Sequence, residues 1–172
     1  MTDTPSQNYD MLIAEAEAAC HRLDLEEAVE KYAAAREMHP DDYRVYVGLA
    51  RVYSRRRQED QAYQAAEKAV ELAPEQAEPH ATLGMLHFLT DRSPEALTEL
   101  NKALELDPDD PEAHLTLSQV YADLKRFREA EQELDTARTG IAAIRDPLHE
   151  AEMMAFAGHA EMYLRLSQGK TT

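Results

Sequence analysis

Apolar residues recur at three- and four-residue steps along most of the chain, as in Leu83, Leu86 and then Ala96, Leu97, Leu100, Ala103 and Leu104. That spacing gathers side chains on one face of an α-helix. The stripes come in pairs, and the pairs repeat. Alanine stands at 28, 62, 96 and 130 and again at 35, 69, 103 and 137, a constant step of 34, and proline keeps the same step at Pro40, Pro74 and Pro108. A small side chain at a crossing lets two helix axes reach the near end of the usual separation of about 8–10 Å. The pattern therefore predicts two closely crossed helices per unit. Ser93-Pro94-Glu95, Asp110-Pro111-Glu112 and Asp146-Pro147 mark helix starts, each a capping side chain followed by a proline that loses nothing at the first helical position. Pro40, Pro74 and Pro108 close the second helices.

Written out, the best unit runs Glu78-Pro-His-Ala-Thr-Leu-Gly-Met-Leu-His-Phe-Leu-Thr-Asp-Arg-Ser-Pro-Glu-Ala-Leu-Thr-Glu-Leu-Asn-Lys-Ala-Leu-Glu-Leu-Asp-Pro108. It resembles the tetratricopeptide repeat, whose pattern sets Leu, a small residue, Tyr, Ala and Pro at fixed offsets in 34 residues. Four units are placed at 9–42, 43–76, 77–110 and 111–144. Leu49, Leu83 and Leu117 hold the Leu offset, Ala50, Gly84 and Ser118 the small-residue offset, and Tyr53, His87 and Tyr121 the Tyr offset. The first unit departs, with Glu15 and Ala19 at the Leu and Tyr offsets, as suits an end repeat. The resemblance implies an all-α fold, a right-handed α-α superhelix (solenoid) of tetratricopeptide-like helical hairpins.

After residue 138 the register breaks. The stripe Ala130, Leu134, Ala137, Ile141, Ile144 predicts a second helix prolonged to about Arg145, followed by a last helix over 147–167. In that helix Phe156, His159, Ala160 and Tyr163 fit the first-helix pattern after an insertion of eight, so it reads as a capping helix from an incomplete fifth unit. The expectation is a single domain over 1–172 with flexible tails at 1–8 and 168–172.

Composition narrows the function. Lys and Arg number 18 against 34 Asp and Glu, a formal charge of −16, which repels phosphate and anionic membrane, so no nucleic-acid partner is expected. No apolar run reaches the roughly 18–20 residues of a membrane helix, and membrane insertion is not expected. With a mean hydropathy of −0.61 and no Trp, the core is thin and widely spread. The single cysteine, Cys20, closes no intramolecular disulfide, and the first residues lack a basic and then apolar leader; a cytoplasmic location is expected.

Enzyme motifs are missing: there is no Gly-rich phosphate loop, no His-Glu-x-x-His and no Gly-x-Ser-x-Gly. Paired carboxylates such as Glu26-Glu27 and Asp41-Asp42 fall where they cap and solvate helices, and Asp107-Pro-Asp-Asp110 lacks the Gly and distal Glu of a calcium loop. His80, His87 and His114 offer either a weak zinc site or, since their offsets are packing offsets, partly buried core histidines. The chain reads as non-catalytic, without cofactor or metal.

The resemblance further implies that ligands lie along the groove lined by first helices, at offsets 2, 5, 9, 12 and 13. Transferred to this chain, the groove residues are Arg44, Val47, Arg51, Arg55, Ala81, Met85, Phe88, Leu89 and Gln119. From Arg44 to Arg57 there are five arginines and no acid. Arg44, Arg51 and Arg55 share one helix face, and a guanidinium grips a carboxylate in a fork. They either anchor an acidic segment or balance acids such as Glu17 and Glu78 on adjacent repeats. Ala81, Met85, Phe88 and Leu89 offer apolar surface, which either binds a partner or packs on a neighbouring helix. The Lys/Asn carboxylate clamp of chaperone-binding repeats is absent, since its offsets hold Ile13, Glu17, Glu78 and Thr82. The expected function is a protein-protein interaction module, an adaptor, scaffold or chaperone-like protein whose partner has an acidic and an apolar part. The alternative is a scaffold that oligomerises through its terminal helix, leaving Met153, Met154, Phe156 or Met162 to recruit another copy.

Overall fold

The structure, a computed structural model, describes residues 5–142 and 147–169. Nine α-helices and no strands lie among them: α1 (Pro5–His21), α2 (Leu25–Met38), α3 (Tyr43–Arg55), α4 (Glu59–Leu72), α5 (Ala77–Leu89), α6 (Ser93–Leu106), α7 (Pro111–Asp123), α8 (Phe127–Ile141) and α9 (Pro147–Ser167). The fold class is the expected all-α array of helical hairpins. The chain divides into two compact units, Met1–Thr82 and Leu83–Thr172.

Three local expectations are corrected. Helix α1 starts at Pro5, so residues 5–8 are helical rather than tail. Helix α8 ends at Ile141, just past Gly140, a poor helix former, instead of running to about Arg145; Ile144 and Asp146 lie outside the described residues. Ser93 is the first residue of α6, and Arg92 occupies the cap position. Asp110 does cap α7, accepting from the Glu112 amide at 2.9 Å, and Asp24 and Asp42 cap α2 and α3.

The turns inside the hairpins are copies of one another. Leu23, Arg57, Asp91 and Lys125, 34 residues apart, all have φ near +60°. In each turn the following amide reaches back five residues, Asp24 to Ala19, Gln58 to Tyr53, Arg92 to His87 and Arg126 to Tyr121, all at 2.9 Å. Together with the bond from the left-handed residue itself to the carbonyl three residues back, at 3.0–3.1 Å, this is the Schellman ending, which glycine suits best for want of a Cβ. None of the four is glycine. At the end of α9 the equivalent residue, at φ +70°, is Gly169.

At the start of successive hairpins a second device repeats. Tyr46, His80 and His114 share one offset, and each donates a hydrogen bond to the carbonyl of the proline six residues earlier: Tyr46 Oη to Pro40 at 2.8 Å, His80 Nε2 to Pro74 at 2.9 Å, His114 Nε2 to Pro108 at 3.0 Å. Two of the three candidate zinc histidines are thereby clasps of the chain at a helix entrance. Among the described residues no group of three or more His, Cys, Asp or Glu is placed to hold a metal ion.

In the first unit Ala28, Tyr32, Ala35, Val45, Leu49, Ala50, Val52, Ala62 and Ala69 form the buried layer. Gly48 is needed there: a Cβ on it would stand 2.2 Å from Cζ of Tyr32 on α2. Tyr9 ties α1 to the next hairpin, its hydroxyl donating to Asp42 at 2.7 Å and its ring meeting His39 edge-on.

In the second unit a Cβ on Gly84 would stand 2.7 Å from Cγ of Leu100, which is the close α5–α6 crossing expected of the small-residue offset. Helix α9 packs on α7 and α8, adding Ala157, Ala160 and Leu164 to a core of Leu115, Ala122, Ala130, Leu134, Ala137 and Ile141. With the insertion of eight, Ala157, Ala160 and Leu164 fall 42 residues beyond the buried Leu115, Ser118 and Ala122, while His159, at the Leu offset, is exposed. Gly169 lies two residues past the position that matches Lys125, so α9 runs on further than α7.

Candidate functional site

The arginine face belongs to α3 in the first unit. Helical spacing of 7 and 4 aligns Arg44, Arg51 and Arg55. Arg44 forms a 2.6 Å pair with Asp42 and lies 5.7 Å from the centroid of the Tyr9 ring. Burial acts to raise the Asp42 carboxyl, but the hydrogen bonds from Arg44 and Tyr9 prevail and hold it down at about 2. Arg51 approaches Glu78 at 3.6 Å, with about a third of the arginine side chain and more of the glutamate exposed. Arg55 donates to the Cys20 carbonyl at 3.1 Å, beside the Leu23 amide that the same oxygen accepts from, in the last turn of α1 at the negative end of the helix dipole. Arg56, on the flank, pairs with Glu26 at 2.7 Å.

Each named arginine thus has an intramolecular partner, and of the two acids named from the sequence Glu78 is confirmed as one. The Cys20 carbonyl is a partner that sequence reading missed, although an arginine one unit beyond a helix C-terminus is a usable signal for it. Arg55, Glu17 and Arg51 all lie in electrostatic reach of the Cys20 thiol; burial nevertheless pushes that thiol up, so it stays protonated. Val47, only 2% exposed, and Ala81 are buried and serve packing rather than surface.

In the second unit Leu89 is 58% exposed and Met85 half-buried, while Gln119 is buried. Phe88 is half-buried and meets the Tyr163 ring edge-on at 6.1 Å, and the Tyr163 hydroxyl donates to Asp123. Burial and that carboxylate raise Tyr163 to about 12. For Phe88 the packing reading prevails, with α9 supplying the neighbour. Nothing in the 34-residue pattern announces this, because α9 lies beyond the insertion.

The fold and this inventory define a helical-hairpin repeat protein in which the α3 arginines named above are engaged within the chain. The profile of the tetratricopeptide repeat matches residues 21–86 and 88–139, and the chain belongs to that family. No curated protein sequence matches it. Among solved structures it is similar to the Cut9-Hcn1 hetero-tetramer of the APC/C (TM-score 0.78, 20% identity, 94% of this chain and 31% of that one). It is also similar to a Thermobaculum terrenum O-GlcNAc transferase mutant (TM-score 0.71, 25% identity, 81% of this chain and 27% of that one). A third is the first tetratricopeptide domain of Spaghetti (RPAP3) bound to the HSP90 peptide SRMEEVD (TM-score 0.62, 22% identity, 70% of this chain and 95% of that one). The chain spans less than a third of the length of the first two. As a tetratricopeptide protein it is a protein-interaction module, and none of its described helices is long and apolar enough to cross a membrane.

Proposed function

We propose that the chain is a non-catalytic adaptor that holds an acidic segment of a partner protein on the α3 arginine face. One observation carries this: Arg44, Arg51 and Arg55 stand in a row, and although Arg44 is firmly paired with Asp42, Arg51 meets Glu78 only at 3.6 Å across an exposed contact and Arg55 holds a backbone carbonyl. Exposed ion pairs are worth about 0–1 kcal/mol each, so an incoming carboxylate exchanges for them at small cost. The resemblance to a domain solved with an acidic peptide supports the class of ligand. The contacts differ, since the Lys/Asn clamp has no counterpart here. Met85 and Leu89 offer the second unit's own surface for apolar side chains.

The test is fluorescence anisotropy with a library of acidic peptides against wild type and the Arg51→Glu/Arg55→Glu variant. Charge reversal is expected to weaken binding at least tenfold with helicity intact, and binding itself to weaken as salt is raised. Affinity unchanged by the double substitution would remove the arginine face from the site.

A second reading, self-assembly through the terminal helix, is favoured by a separate observation: Met154, Met162 and Leu166 on α9 are 50–59% exposed.

A further inference from the structure

We propose that α9 pairs with α9 of a second copy, antiparallel, about a two-fold axis passing beside Gly158. The proposal rests on the second reading above and adds the occupant, its orientation and its register. The outer face of α9 carries Met154, Gly158, Met162 and Leu166, all exposed, while Ala157, Ala160 and Leu164 on the other side enter the core with residues of α7 and α8. No described helix covers that outer face.

Its chemistry fits a copy of itself. Met154 and Met162 flank Gly158 symmetrically at four residues on either side, and a Cβ at 158 would meet nothing within 4 Å. An antiparallel pair centred there sets Met154 level with Met162 of the second copy and lets the backbones approach where both carry glycine. Charge selects the direction. Glu150 lies in the first turn of α9 and Arg165 in the last, eight residues before and seven after Gly158, so antiparallel packing brings each Arg165 level with the other copy's Glu150. Parallel packing would set like charges together. Arg165 now pairs with Glu161 at 2.7 Å, an exposed contact that exchanges readily. Met154 to Leu166 spans about 18 Å of helix, a small interface, so the dimer belongs to the weak class, with a dissociation constant on the order of tens of micromolar.

The experiment is light scattering and sedimentation of the full chain over a concentration series, for wild type and for Met162→Glu, Arg165→Glu, Glu150→Arg and the charge-swapped double variant. The expected result is a reversible wild-type dimer, at least tenfold weaker in each single variant and restored in the double one. On a Cys20→Ser background, Gly158→Cys is expected to oxidise to a covalent dimer faster than a cysteine placed at exposed Glu131. Wild type that stays monomeric up to millimolar concentration overturns self-assembly and the pairing together. A dimer indifferent to Met162→Glu, or not restored by the charge swap, overturns the antiparallel α9 pair while leaving self-assembly standing. Circular dichroism checks that each variant is folded, as substitutions at such exposed positions should be.

Discussion

His114 shows how much one side chain can be asked to do. Its Nε2 faces the Pro108 carbonyl and its Nδ1 faces Glu133 Oε2 at 2.6 Å, and both partners only accept. Satisfying both requires a proton on each ring nitrogen, so the site is built for imidazolium. The hydrogen bond to Glu133 accordingly raises the His114 pKa above the ordinary value of about 6.5, against the opposing effect of burial. Since the folded value exceeds the unfolded one, the stabilisation is complete below about pH 6.5 and is lost as pH rises through the folded value. His114→Gln keeps a donor for one partner and does not titrate. The stability difference between wild type and this variant should shrink between pH 6 and pH 9, and NMR titration should place His114 above free histidine; a value at or below it would refute the two-acceptor reading. The sequence showed His80 and His114 as 34-step equivalents at a packing offset. It could not show that the proline carbonyl was their target, because Pro40, Pro74 and Pro108 were read as helix stops rather than as acceptors.

At the scale of elements, the hairpin turns hold the next test. A non-glycine residue in the left-handed region carries a cost of roughly 1–2 kcal/mol, and Leu23, 73% exposed, has no side-chain packing evident to offset it. Leu23→Gly and Lys125→Gly should each stabilise the chain by about 0.5–1 kcal/mol once the freedom gained by the unfolded chain is deducted. Chemical denaturation measures this, and destabilisation by both would mean that the side chains make contacts worth more than the strain. Helix pairing was legible because the alanine series repeats without error over four units and the proline series over three. Which residues of α9 are buried was not, since of Phe156, His159, Ala160 and Tyr163 only Ala160 is fully buried, and Ala157 and Leu164 join it. A helix that packs on one side alone does not bury every consensus offset. In the same way, offsets 2, 5, 9, 12 and 13 located the arginine face but also named Val47, Ala81 and Gln119, whose burial depends on neighbours that a linear pattern does not contain.

For the molecule as a whole, a formal charge of −16 on 172 residues leaves the acids 16 in excess of the bases. Self-repulsion then works against every compact state, and salt relieves it over a Debye length of about 10 Å at 0.1 M. Melting temperature should rise as sodium chloride is added, the exposed ion pairs contributing too little to reverse the trend; a steady fall would show that those pairs outweigh the repulsion. The same salt would loosen an acidic ligand from the α3 arginines, so stability and binding should move in opposite directions in one titration. The four left-handed turns bear on the protein's history as well as its energy. A chain that has left such gains unused at Leu23, Arg57, Asp91 and Lys125 holds a reserve of single substitutions, each confined to a turn and altering no helix-facing side chain. Mutations that reshape its recognition surfaces at the expense of stability can be rescued from that reserve, one turn at a time.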